Sequence, residues 1–297
     1  MDDWLAKLNK LNVYKAKHGE APHKALFLLA LMDMIDAGEP VTERLELTPE
    51  LAFRFMALWP IVAYRRTQKP DIRMPFHHLS GDRLWQAHMA TGDISPDKKA
   101  TRYVEINPDF FAALHEKRFR RRARRILIAR WFQPAERHAF YALYNIPIPT
   151  DDQIARDANF EVPNDAKTVG REARFRLDVV PAYDYTCALT GYRVTTVTAG
   201  SIVDAAHIHA FRDSRNNDPR NGIALCKNAH WLFDAGLWSI DDDYRIIVAQ
   251  GRYHEASPDQ KPLVAYHGRR IRLPANPDAW PDPRHLAWHR KQRFKRN

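Results

Sequence analysis

The sequence predicts an α+β protein. A mainly helical N-terminal domain (1–145) is joined by a linker (146–165) to a C-terminal domain (166–297) built on a β-hairpin and a short helix. Three observations carry this. Apolar residues recur at helical spacing through the first half, most densely in the run that starts at Ala25. Prolines and acids interrupt the pattern over 146–164. Over 187–248, short apolar runs alternate with polar turns and one stretch, 228–234, can form a short helix. The 297 residues suit about two domains at ~150 residues each.

Taken in order, 1–19 reads as a helix, with Trp4, Leu5, Leu8, Leu11 and Tyr14 at mostly helical spacing. Pro22 opens a second helix over 23–37 that Gly38 ends; its nearly unbroken apolar content makes it a central core helix. A short alternating pattern over 41–47 predicts a strand, and Thr48-Pro49 then caps a helix through Leu58. The stretch 64–79 mixes basic residues, aromatics, two prolines and the pair His77-His78, which argues against a long regular helix. Strands follow after Gly81 and over 103–106, then a helix opens at Pro108 and runs to about Arg118. A helix over 135–144 closes the first half. In the second half, 171–180 can form a helix and 244–249 a strand, and the basic, proline-broken tail over 267–297 is expected to wrap back on its domain.

The formal net charge of +10 favours polyanionic partners. It is concentrated over 117–125, where Arg121, Arg122, Arg124 and Arg125 are the candidates for contact with phosphate oxygens. No apolar stretch approaches the ~18 residues of a membrane helix, and the N-terminus lacks the layout of a signal peptide. The expectation is a soluble cytoplasmic protein. Two cysteines, Cys187 and Cys226, cannot make a four-cysteine zinc site and are expected to be small buried thiols.

Three residues set the rhythm of the second half. His207 follows a short apolar run, Asn221 sits in a loop of Asp, Asn, Arg and Pro, and His230 lies in the helical stretch. Phosphodiester hydrolysis needs a base to activate water and a cation to stabilise charge on the phosphate and the leaving oxygen. A neutral imidazole can be the base, a second imidazole can hold a divalent metal, and an Asn can lock the hairpin through its donors and acceptor. The series Cys-x-x-Thr-Gly, Ala-His-Ile, Asn-Gly-Ile-Ala-Leu-Cys and His-x-x-Phe-Asp-x-Gly resembles the HNH (ββα-metal) nuclease motif. That resemblance implies that His207 is the general base, Asn221 the orienting residue and His230 a metal ligand. Many such nucleases carry a metal-binding Asp directly before the catalytic His. Here Ala206 stands there, Asp204 is the nearest carboxylate, and His209, of the same strand parity as His207, is a second candidate.

The first half carries a second resemblance. A helix opening Pro-His-Lys, then Met-Pro-Phe-x-x-Leu about fifty residues on, then Gly-Asp-Arg-Leu-Trp, looks like the sulfur-binding domain of phosphorothioate-dependent restriction endonucleases. That family implies a pocket whose apolar floor accepts sulfur while basic residues hold flanking phosphates. The matching positions are His23, Lys24, Met74, Pro75 and His78, with Arg73 beside them. This chain has Lys24 where the family has Arg, Met74 where it has an aromatic, and His78 where it has a small residue.

Together the two resemblances imply a metal-dependent endonuclease acting on modified double-stranded DNA, phosphorothioated or methylated. An unselective HNH nuclease and a DNA-binding protein with a degenerate nuclease site are the alternatives, the latter resting on Ala206. Mg²⁺ or Mn²⁺ is the default cofactor, and a His-containing site also suits Ni²⁺, Co²⁺ or Zn²⁺. One HNH site per chain cuts both strands either as a homodimer or by two successive nicks.

Overall fold

The structure is a computed structural model and describes residues 2–16, 19–63, 69–146, 164–256 and 259–295. The chain forms two compact units, Met1–Ala173 with Thr196–Gly200 and Arg174–Thr195 with Ser201–Asn297. Most of the expected linker lies outside the described residues, and the division falls inside a helix, Asn164–Ala182.

The first unit is organised around the helix His23–Asp36 (α2). Eleven of its fourteen residues are buried, so it is a core helix with no solvent stripe. The shorter helix before it, Asp2–Leu8 (α1), ends well before the expected Gly19. Two tertiary bonds take the chain after it: the backbone N–H of Asn12 donates to Asp82 (2.7 Å) and its carbonyl accepts from Lys24 (2.6 Å). Lys15–Ala16 (β1) and Gly19–Glu20 (β2) then pair as an antiparallel hairpin. Tertiary partners override helical spacing here.

Arg44–Glu46 (β3), Trp85–His88 (β4) and Tyr103–Ile106 (β5) make an antiparallel sheet of order β3-β5-β4. Pro49–Leu58 (α3) opens on Thr48, whose hydroxyl accepts from the Leu51 amide. Arg73–His78 (α4) is a six-residue helix in the stretch where proline excludes a longer one. Pro108–His115 (α5) ends at Glu116, and a separate helix, Lys117–Trp131 (α6), carries the basic run. Pro134–Leu143 (α7) closes this series with a capping box between Gln133 and Glu136.

In the second unit, the later part of Asn164–Ala182 (α8) lays Phe175 and Val179 on a core that includes Ile223, Phe233 and Trp238. Val203–His207 (β6) pairs with Gly222–Cys226 (β7), His207 opposite Gly222. A methyl on Gly222 would lie 2.4 Å from Val179 Cγ2 and 2.9 Å from the Phe175 ring, so only glycine lets α8 approach the hairpin here. Phe211–Ser214 (α9) sits in the loop between these strands, and β7 runs directly into Lys227–Asp234 (α10). Trp238–Ile240 (β8) and Ile246–Val248 (β9) form a second hairpin. The tail ends in a further helix, Pro283–Gln292 (α11). Among the described residues no helix is long and apolar enough to cross a membrane.

Candidate functional sites

The ββα element holds His207 at the end of β6, where its ring lies flat on Phe175 with centroids 3.9 Å apart. The Nε2 atom is 2.8 Å from Asn217 Oδ1. A carboxamide oxygen only accepts, so Nε2 donates and Nδ1 is left as the basic nitrogen. Burial lowers the His207 pKa below the usual imidazole value; the Asn217 bond works the other way, His230 adds to the lowering and Asp234 opposes it. The ring is therefore neutral at pH 7, the state a general base needs.

Asn221 is fully buried. Its Oδ1 accepts from the His209 amide (2.8 Å), and its Nδ2 donates to the carbonyls of His209 (2.9 Å) and Asn216 (3.0 Å). It thus ties together the two ends of the loop that crosses from β6 to β7. The bond to the His207 ring itself comes from Asn217, which nothing in the sequence singled out.

His230 and Asp234 stand one turn apart on α10, Nε2 to Oδ2 at 3.4 Å. Both are close enough to His207 to act on its charge. Asp204 is elsewhere. It projects from the opposite face of β6, between Arg176 (3.0 Å) and Lys227 (3.1 Å). Burial works to raise its carboxyl, but these two cations outweigh it and hold it below the usual carboxylate range. Its expected place at the metal is corrected on that ground: the carboxylate beside His230 is Asp234. His209 is committed too, stacked on Trp288 at 3.9 Å. Among the described residues no group of three His, Cys, Asp or Glu side chains is arranged to hold a metal. A cavity of about 370 Å³ opens over His207, with Phe211, Arg212, Asp234, Trp288 and Arg293 in its walls.

Cys187 and Cys226 are free and buried. A hydrogen bond between the thiols pushes Cys187 down to about 5 and Cys226 up.

In the first unit, a cavity of about 790 Å³ is lined by His23, Lys24, Met74, Pro75 and His78, all five positions implied by the resemblance. The sequence reading missed His77 and Tyr14, which also line it; Tyr14 is 75% exposed. Not all of the basic groups are available. Lys24 donates to Asp82 Oδ2 (2.5 Å), a pair that is nearly buried on both sides. This corrects its reading as a phosphate contact, since its charge is spent on holding Asp82 and Asn12. Arg73 meets Asp71 through Nε (2.9 Å) and Nη2 (3.2 Å), and Lys98 joins the same carboxylate at 2.8 Å. Burial works to raise Asp71, but bonds from Arg73 and Lys98 bring it down to about 2. His23 sits 5.0 Å from Trp59 and donates through Nε2 to the Lys69 carbonyl (2.8 Å). Burial lowers its pKa, so it presents a neutral ring.

The basic run on α6 divides by helical phase. Arg120 and Arg124 face inward and pair with Asp36 on α2, both at 2.6 Å. Arg124 is thus a buried structural cation, a correction to its place among the DNA contacts. Arg121, Arg122 and Arg125 lie on the exposed face.

Comparison with known proteins divides the chain in the same way. Residues 187–241 match the family model for HNH endonucleases. Residues 1–142 match that of the ScoMcrA-like DNA sulfur-binding domain. Comparison with curated proteins gives no match. Among solved structures, a modification-dependent TagI restriction endonuclease is similar at 21% identity with a TM-score of 0.32, over 49% of this chain and 44% of that one. The chain therefore spans less than half of that protein. The chain is thus similar to the ScoMcrA-like DNA sulfur-binding family over 1–142 and to the HNH endonuclease family over 187–241.

Proposed function

We propose that this protein is a metal-dependent DNA endonuclease that restricts modified DNA, with phosphorothioate as the modification read by the first unit. The observation that carries the nuclease half is His207: a neutral imidazole, one nitrogen held by Asn217 and the other free, on the floor of an open cavity. In this reading Nδ1 takes a proton from water as the water oxygen bonds to phosphorus. The bond from phosphorus to the sugar oxygen breaks, and that oxygen leaves with a proton from solvent.

His230 and Asp234 would hold the metal, and the metal would supply positive charge to the phosphate and leaving oxygen. The donor set fits. One imidazole and one carboxylate leave most positions to water and phosphate oxygens, which suits Mg²⁺ or Mn²⁺. Asn221 keeps the loop closed so that Asn217 stays on His207.

Support for the recognition half is the cavity that gathers His23, Met74, Pro75 and His78. Sulfur is larger, softer and less well hydrated than oxygen. A thioether, a proline ring and neutral imidazoles favour it without requiring a cation. We place the protein in the cytoplasm, where buried free thiols stay reduced, and its partner as double-stranded DNA. The test is cleavage of four matched plasmids with Mg²⁺ or Mn²⁺: unmodified, phosphorothioated, cytosine-methylated and adenine-methylated. Cutting of the phosphorothioated plasmid alone supports the reading. Equal cutting of all four makes the enzyme unselective. Binding without cutting of any indicates a degenerate site.

A further inference from the structure

We propose that Arg293 is the residue that grips the phosphate under attack, reaching it from the C-terminal tail rather than from the ββα element. This rests on the nuclease reading. The cavity over His207 has Arg293 in its wall, alongside Asp234 and Trp288. Arg293 follows α11 directly.

Several contacts fix that tail at this place. His289 is 2% exposed and stacks flat on Phe233 of α10, centroids 3.7 Å apart. Its Nε2 donates to the Phe233 carbonyl (3.2 Å), and its Nδ1 is bonded to the Ser239 hydroxyl (2.8 Å). Burial lowers its pKa to about 4, so this peg is neutral. Four residues on, the backbone itself touches α10's end. Gly236 has φ +72°, and a Cβ there would lie 2.0 Å from the Arg293 carbonyl oxygen. The Lys295 amide donates to the Gly236 carbonyl at 3.0 Å. The helix that carries His230 and the residue proposed to grip phosphate are thus held in fixed register.

Arg293 also keeps its charge available. Its side chain is 31% exposed, and its ion pair, with Asp213, is long at 3.8 Å. Arg290, three residues earlier, is different: it is bonded to Asp242 and to the Ile240 carbonyl. Trp288 stands 5.9 Å from the Arg293 guanidinium and limits where it can swing. Attack of water turns the phosphate into a five-coordinate group with more negative charge on its non-bridging oxygens. A planar guanidinium spans two such oxygens at once, which an ammonium does not. The bond is stronger at the transition state than to the ground-state diester, so it accelerates the chemical step.

The test is single-turnover and steady-state cleavage of a phosphorothioated plasmid with Mn²⁺ by wild type, Arg293→Ala, Arg293→Lys and Asp213→Asn. Arg293→Ala should lower kcat by about 100-fold with little change in KM. Arg293→Lys should recover part of that loss. Asp213→Asn should stay within about threefold of wild type, because Arg293 does not depend on that tether. Thermal melting, unchanged in all three, separates removal of the guanidinium from damage to the fold. Equal rates for wild type and Arg293→Ala would overturn the proposal while leaving the nuclease reading standing. An equal loss in Asp213→Asn would reduce Arg293 to a structural tether. If wild type cuts none of the four plasmids, the nuclease reading fails and this proposal fails with it.

Discussion

The two cavities treat charge in opposite ways. In the first unit, Lys24 lines the cavity and Arg73 stands beside the lining residue Met74, yet each is already paired, Lys24 with Asp82 and Arg73 with Asp71. Apart from the exposed Lys15, what that cavity offers a ligand is neutral: His23, His78, Met74 and Pro75. In the second unit, His207 keeps a free nitrogen, Asp234 is 65% exposed, and the Arg293 ion pair with Asp213 is long at 3.8 Å. One cavity is shaped by charges that hold the fold. The other holds charges back for a ligand. A cation at an expected position is therefore no guide to function until its partner is known.

The sharpest way to break this contrast is to remove the acid that pairs Lys24 behind the first cavity and, separately, the acid in the wall of the second. Asp82→Ala strands the nearly buried Lys24 and should cost about 3–5 kcal/mol of stability in the first unit, read by denaturant unfolding. Asp234→Asn removes an exposed charge and should stay within about 0.5 kcal/mol of wild type, while Mn²⁺ titration shows weaker binding. If both variants unfold alike, or neither does, the contrast is wrong.

A smaller effect tests how His207 is tuned. Its pKa is depressed, so the base is ready above the usual imidazole value and is lost as pH falls through a lower one. The acid limb of the rate profile should lie below pH ~6.5. Asn217 works to raise that pKa, so Asn217→Ala should move the limb to still lower pH and slow cleavage by roughly tenfold through lost orientation. A limb that moves upward would show that another group sets it.

The smallest effect concerns α6. Removing Arg121 and Arg125 together should reduce the slope of log K against log salt by about 0.9 for each phosphate that is no longer neutralised. Arg124→Ala should instead destabilise the first unit, since Asp36 loses a partner. An unchanged slope in the double variant would make the outer face of α6 a solvated surface only.

What could be read beforehand follows sequence distance. His207, Asn221 and His230 lie within one short stretch, and the order of local motifs suffices to nominate them. The core helix α2 was legible because no polar stripe interrupts it. Asn217 was not, because it sits in a loop of similar polar residues with no period to mark it. Trp288 and Arg293 belong to a basic tail far along the chain, and only the packing of His289 and Gly236 brings them to His207. Strand parity put Asp204 on a different face from His207, but not between Arg176 and Lys227, which requires α8 and α10 to be in place. Likewise, the count of arginines over 117–125 could not say which of them α6 turns inward.

The most direct measurement pairs binding with cutting in His207→Ala. The variant should bind a phosphorothioated duplex as tightly as wild type, retain its preference over the unmodified duplex, and cleave at least about 1,000-fold more slowly. That result separates a cavity that reads from a cavity that cuts. Cleavage at the wild-type rate would remove His207 from the reaction, and loss of selective binding along with cleavage would show that the two cavities do not act as separate sites.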